Sequence, residues 1–178
     1  MDTDERAVAV FGSSEPRPAE PGYEVARELG ALLARSGYTV ITGGYGGVME
    51  AASRGAREAG GRAIGVVCTI FDGRRPNDWL SEVIVSSDLH ERTRLLIQRA
   101  CGFVVLPGKA GTLAELAQLW ALDRAGCLEA RAVVLLGDSW KPVLDLLERD
   151  GMLEPSQVKL TRLARSPEEA LTLLLGSE

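Results

Sequence analysis

The feature that most constrains this chain is a series of short apolar runs, most of them followed by residues at helical spacing and several closed by glycine. Residues 7–11 (AVAVF), 38–42, 63–68, 82–86, 103–106 and 132–136 are such runs, and 160–164 reads as a last, shorter one. A strand with one solvated face alternates apolar and polar residues, whereas a run apolar throughout is buried on both faces. Between the runs, 22–36 places Val25, Leu29, Leu32 and Leu33 on one side, and 48–59, 88–101, 112–125, 140–149 and 167–175 read as further helices. Gly60-Gly61 stops the second helix, and Pro167 suits the first turn of the last. Residues 69–78, with Gly73, Pro76 and Asn77, read as a loop. Strands alternating with helices through short connections join by right-handed crossovers. The expected fold is α/β: a Rossmann-like, doubly wound, mainly parallel sheet covered by helices on both faces, with residues 1–178 forming a single domain.

Charge and composition narrow the partners. A net charge of −5 and a pI near 5.1 argue against a nucleic-acid footprint, which needs clustered Lys and Arg. A small anion pocket is still open, because local fields outrank net charge there. The three cysteines, Cys68, Cys101 and Cys127, are odd in number and far apart, so they imply no disulfide framework and point to a reducing compartment. One histidine, His90, and no CxxC pair make no zinc site. The opening residues MDTDERAVAVFG lack the basic start and long apolar stretch of a secretion signal, and the apolar runs are too short to span a bilayer. The expectation is a cytoplasmic protein without membrane, nucleic-acid or metal partners.

In open α/β sheets ligands bind beyond the carboxyl ends of the strands. Three segments at such ends are glycine-rich: Gly12-Ser13-Ser14, Gly43-Gly44-Tyr45-Gly46-Gly47 and Pro107-Gly108-Lys109-Ala110-Gly111-Thr112. Glycine lets backbone approach an anion, and the following helix offers free N–H groups and a positive dipole end. One such turn means little, since tight turns need glycine anyway; three after separate strands point to phosphate binding. Named nucleotide motifs fail. Gly108-Lys109 is followed by Ala110, not Ser or Thr, and Gly44-Tyr45-Gly46 continues to Gly47-Val48-Met49, which is not GxGxxG. No GxSxG elbow exists for a Ser-His-Asp triad.

Residues 107–115 (PGKAGTLAE) resemble the PGGxGTxxE motif of the LONELY GUY-type cytokinin riboside 5′-monophosphate phosphoribohydrolases, often labelled the "lysine decarboxylase family". Residues 87–93 (SDLHERT) resemble that family's SDMHERK segment, and residues 43–50 (GGYGGVME) and Gly12-Ser13-Ser14 resemble its other glycine turns. The likeness spans residues 8–136 in the family's order. Two positions depart from it: Lys109 replaces the second glycine of PGG, and Thr93 replaces the lysine after the arginine. The resemblance implies hydrolysis of a nucleoside 5′-monophosphate to free base and ribose 5-phosphate by a homodimer, with no cofactor. A binding protein that keeps the cradle for a nucleotide or phosphorylated cofactor without turnover is the alternative, and Lys109 and Thr93 favour it.

By this resemblance Glu115 stabilises the oxocarbenium-like state and activates water, Arg92 orients the substrate, and Gly108, Gly111 and Thr112 hold the 5′-phosphate. Gly43, Gly44, Gly46 and Gly47 border ribose and phosphate, Gly12 and Ser13 add a further turn, and Lys109 is a possible phosphate contact. Structural readings stand beside these. Thr112 and Glu115 have capping-box spacing, as do Asp88 and Glu91. Glu50 falls in a first helical turn, where a carboxylate is favoured without any ligand, while the resemblance sets its glycine turn against the nucleotide and makes it a binding residue. Arg92 opposes the dipole of its helix, which suggests a use for it. His90 reads as solvated or packing.

Overall fold

The computed structural model describes residues 6–71, 73–128 and 131–176. Elements run β1 (Ala7–Phe11), α1 (Pro21–Arg35), β2 (Thr39–Thr42), α2 (Val48–Glu58), β3 (Ala63–Cys68), β4 (Glu82–Ser86), α3 (Leu89–Arg99), β5 (Ala100–Val105), α4 (Ala110–Arg124), β6 (Val133–Leu136), α5 (Trp140–Arg149), α6 (Pro155–Leu160), β7 (Thr161–Ala164) and α7 (Pro167–Leu175). The strands make one seven-stranded sheet in the order β4-β3-β2-β1-β5-β6-β7, with every pair parallel. Chain order runs outward from β1 through β2 to β4, then restarts at β5 on the other side of β1. The sheet therefore reverses between β1 and β5, the place where α/β sheets open a crevice for ligands.

Burial of both faces follows from the apolar runs. Along β1, Val8 and Val10 enter one core with Tyr23, Leu29 and Leu33 of α1, Ala51 and Ala52 of α2, and Leu174 of α7. Ala7, Ala9 and Phe11 enter the other, with Leu96 of α3, Leu116 and Leu119 of α4, and Leu144 of α5. β4 is an edge strand and differs as edges do, with Val83 and Val85 exposed.

Two glycines set how α2 lies on α1. A Cβ at Gly30 would stand 2.0 Å from the Ala52 carbonyl oxygen, and one at Gly55 1.8 Å from that of Arg27. The helices touch backbone to backbone there, which fixes the α2 N-terminus beside the β1 turn.

Several boundaries differ from the sequence reading by one to three residues, and one helix was not expected. α3 stops at Arg99 and β5 starts at once at Ala100, where helical spacing alone carried the helix to 101. α4 begins at Ala110, not Thr112. Helix α6 was missed, although Glu154 and Gln157 form a capping box with Pro155 in the first turn.

Candidate active site

The three glycine-rich turns converge. Ser13 N–H donates to the Pro107 carbonyl (3.2 Å), and the Ser13 carbonyl accepts from Val48 N–H (2.9 Å). One residue thus ties the turn after β1 to those after β2 and β5. Gly47, at φ 69°, makes this possible, since a Cβ there would lie 2.4 Å from the Ser13 carbonyl oxygen. A pocket of about 150 Å³ opens over the junction. Gly12, Ser13, Gly43, Arg92, Lys109, Gly111, Thr112 and Glu115 all line it.

The α4 N-terminus forms one wall. Asp88 caps α3 and Ser166 caps α7 through side-chain oxygens. At α4 the N-cap is Lys109, no side chain caps it, and no acidic residue lies in the first turn. Its leading N–H groups and dipole end are available to an anion. Because α4 starts at Ala110, Thr112 sits inside the first turn and the capping-box reading of Thr112 and Glu115 does not apply. Gly108 lies beneath Thr112, since a Cβ there would stand 2.1 Å from the Thr112 hydroxyl oxygen.

Arg92 and Glu115 form the floor. Arg92 is buried, with Nε donating to the Val66 carbonyl (2.9 Å) and Nη2 to that of Gly43 (3.0 Å). Gly43 supplies the room, because a Cβ there would fall 1.6 Å from Nη2. The guanidinium is thereby bolted to the residue that follows β2 and to the C-terminal half of β3. Its Nη1 faces Glu115 Oε1 at 3.7 Å, longer than a charge-assisted hydrogen bond. Burial pushes the Glu115 carboxyl up to about 7; the Arg92 charge pulls the other way and does not prevail. Glu115 is thus poised to hold or release a proton near neutrality.

Other expected residues stand one layer back. Glu50 accepts a hydrogen bond from the buried Tyr23 hydroxyl (3.0 Å) and does not line the pocket. Gly44, Gly46, Gly47 and Gly108 shape the turns without lining it. Lys109 pairs across the mouth with Glu15. Asp88 and Glu91 serve α3: Asp88 accepts from Glu91 N–H (2.8 Å), and the Glu91 carboxylate accepts from Ser87 N–H (2.7 Å). His90 is exposed.

The pocket also has an aromatic wall that the sequence reading missed. Tyr45, Met49, Phe71 and Arg74 line it. Tyr45 and Phe71 meet edge to face at 5.5 Å between centroids. An aromatic residue inside a glycine turn is a readable signal for Tyr45; Phe71 and Arg74 lie in a loop with no periodic pattern.

Fold and site together define an α/β protein with a pocket at a sheet switch point, where an uncapped helix N-terminus meets a carboxylate–guanidinium pair. The chain belongs to the SLOG cluster4 family, which matches residues 5–151, and to the LONELY GUY-type phosphoribohydrolases. It is similar to the cytokinin riboside 5′-monophosphate phosphoribohydrolase of Mycobacterium tuberculosis (32% identity, 92% of this chain and 87% of that protein). Its likeness to the Mycobacterium marinum protein of that name is 35% over 75% of this chain and 71% of the other. Among solved structures it resembles the molybdenum cofactor binding protein of Rippkaea orientalis, with a TM-score of 0.75 and 28% identity over 97% of this chain and 96% of that one. The molybdenum cofactor carrier protein of Chlamydomonas reinhardtii gives 0.74 and 26% over 97% and 98%. No helix among the described residues is long and apolar enough to cross a membrane.

Proposed function

We propose that this protein is a nucleoside 5′-monophosphate phosphoribohydrolase, which cleaves a purine-type monophosphate to free base and ribose 5-phosphate. The observation that carries the reading is Glu115, desolvated and 3.7 Å from an immobilised Arg92, on the same pocket as an uncapped helix N-terminus. The phosphate sits against the first turn of α4, held by backbone N–H groups at Gly111 and Thr112. The sugar then lies over Glu115. As the C1′–N bond breaks, positive charge grows on the ribose ring and the carboxylate stabilises it. Glu115 takes a proton from the attacking water, whose oxygen bonds to C1′, and passes it to the departing base, whose nitrogen keeps the electron pair of the broken C1′–N bond. A carboxyl titrating near 7 suits acceptance and return of that proton. The relatives named as phosphoribohydrolases support this activity.

A second reading is favoured by the molybdenum cofactor binding and carrier proteins among the similar structures, and by Lys109 at the pocket mouth. In that case the cradle holds a phosphorylated ligand without cleaving it. Incubation with AMP, GMP, IMP and CMP, followed by chromatography for free base, separates the two. Release of base that is lost in Glu115→Gln, with the fold retained, supports the hydrolase. Tight binding without release supports the carrier, and full turnover in Glu115→Gln removes Glu115 from the mechanism.

A further inference from the structure

One side chain interrupts the glycine run at 43–47, and it is aromatic. Tyr45 is buried, and its hydroxyl clamps the last residue of β3 through both backbone groups: it accepts from Cys68 N–H (2.9 Å) and donates to the Cys68 carbonyl (3.2 Å). The turn needs no such clamp to reverse the chain, since Gly44 and Gly47 already supply its positive φ angles. Asn77 adds a second brace from the β3–β4 connection, with its N–H on the Gly44 carbonyl (2.9 Å) and its side-chain amide on that of Tyr45 (3.0 Å).

The clamp lies where Arg92 is anchored. The guanidinium donates to the carbonyls of Gly43 and Val66, and each of these stands two residues before one end of the Tyr45–Cys68 contact. The Tyr45 ring also lies against the guanidinium, with Arg92 Cζ 5.7 Å from its centroid. Arg92 is thus held from three directions, with Nη1 left toward Glu115. A guanidinium free to follow its charge would close on the carboxylate to about 2.8 Å. Here the two stand at 3.7 Å, and Glu115 keeps a proton affinity that a closed pair would not allow.

We propose that Tyr45 is a positioning residue: by bracing the β2–α2 turn against the end of β3 it holds Arg92 back from Glu115, so that guanidinium and carboxylate share the pocket without closing into a hydrogen-bonded pair; this rests on the hydrolase reading for the work the pair does. A carboxylate locked to an arginine is a poor proton acceptor, whereas one held short of it takes a proton from water and gives it up to the leaving base. The remaining charged groups on the pocket, Arg74 over the Phe71 ring and Lys109 beside Glu15, are exposed and screened by solvent, so Arg92 is the charge that sets the carboxyl.

The test is an NMR titration of the Glu115 side-chain carboxyl in the native protein, Tyr45→Phe and Tyr45→Leu, with the signal assigned by its absence in Glu115→Gln, alongside kcat and KM for AMP as a function of pH. In the native protein the midpoint stands at about 7. Without the clamp Arg92 closes on Glu115, and the midpoint falls by roughly 1 to 2 pH units in Tyr45→Leu and by less in Tyr45→Phe, which keeps the ring. The limb of the kcat profile that reports Glu115 moves with it, kcat falls by about tenfold or more, and KM changes less than kcat. An unmoved or raised midpoint in folded Tyr45→Leu overturns the proposal, and so does a native midpoint in the ordinary glutamate range. Loss of stability with an unmoved titration makes Tyr45 a structural brace only and overturns it equally. If Tyr45→Leu does not fold, Tyr45→Phe decides by the same criterion. If AMP releases no base, the hydrolase reading fails, and the titration still decides whether Tyr45 holds the pair apart.

Discussion

Burial of Glu115 has a consequence for folding that is independent of any substrate. Its carboxyl moves from the ordinary glutamate value of 4.5 to about 7. Below pH 4.5 the group is protonated in both folded and unfolded chains and contributes no pH-dependent difference. Between 4.5 and 7 the unfolded chain has lost the proton and the folded one still holds it, so stability falls as pH rises. Above 7 both are ionised and the loss levels off. At roughly 1.4 kcal/mol per tenfold change in proton affinity, the full loss is about 3 kcal/mol. Glu115→Gln removes the titrating group and keeps its shape. At pH 4.5 the variant faces Arg92 much as the protonated acid does, and the two proteins match within about 1 kcal/mol. At pH 8 the variant is more stable by about 3 kcal/mol. For a chain of 178 residues this is a rise in Tm of roughly 6–12 °C. Carboxylates held below their usual range, such as Asp88 and Glu58, gain stability as pH rises, but they are common to both proteins and cancel in the difference. Urea unfolding of both proteins at pH 4.5 and pH 8 is the assay. A difference in stability that is the same at both pH values refutes the reasoning, because it would mean that Glu115 is solvated in the folded protein.

Two helical glycines respond oppositely to alanine. At Gly111 a Cβ meets nothing within 4 Å, so Gly111→Ala stabilises α4 by about 0.5–1 kcal/mol in thermal melts. Because Gly111 lines the pocket, the same methyl would crowd a phosphate bound as proposed and raise KM for the monophosphate by roughly tenfold, the worth of one charge-assisted hydrogen bond. Gly30→Ala drives its methyl into the Ala52 carbonyl and costs about 1–3 kcal/mol or more in denaturant unfolding. Arg92→Lys keeps the charge but cannot serve both Val66 and Gly43 carbonyls; it loses about 1–3 kcal/mol of stability, and its kcat/KM falls at least as far as that of Glu115→Gln.

The inner sheet was legible because β1, β2, β3, β5 and β6 are buried on both faces, and such strands are written as largely apolar runs. Residues 7–11 and 63–68 match β1 and β3 end to end. Boundaries failed where helix and strand adjoin without a turn, as at Arg99 and Ala100, since periodicity has no punctuation to read there. At the site, the glycine turns were readable from their places after separate strands, and Arg92 and Glu115 were singled out by the family resemblance; the structure brings them to one pocket. Their mutual support was not readable. The Ser13 bridge is made of backbone groups that every residue carries, and the fit of Arg92 over Gly43 joins residues 49 positions apart. The aromatic wall escaped for the same reason: Phe71 and Arg74 acquire meaning only when the β3–β4 connection is laid over the pocket.

Where the chain departs from its own stabilising habits is itself informative. α3 and α7 start with side-chain caps and α6 with a capping box. At the pocket the choices run the other way. α4 has no side-chain cap, carries Gly111 in its first turn with no neighbour that requires glycine, and places Glu115 where burial resists its charge. α1, α2 and α5 also lack side-chain caps, so the missing cap marks the site only together with Gly111 and Glu115. Each of these departures has a local cost of about 0.5–3 kcal/mol that a neighbouring residue type would avoid. Their coincidence at one sheet switch point is what the proposed function calls for: a phosphate there would supply the missing cap, need the space a side chain would fill, and bring the sugar whose growing positive charge the carboxylate would stabilise.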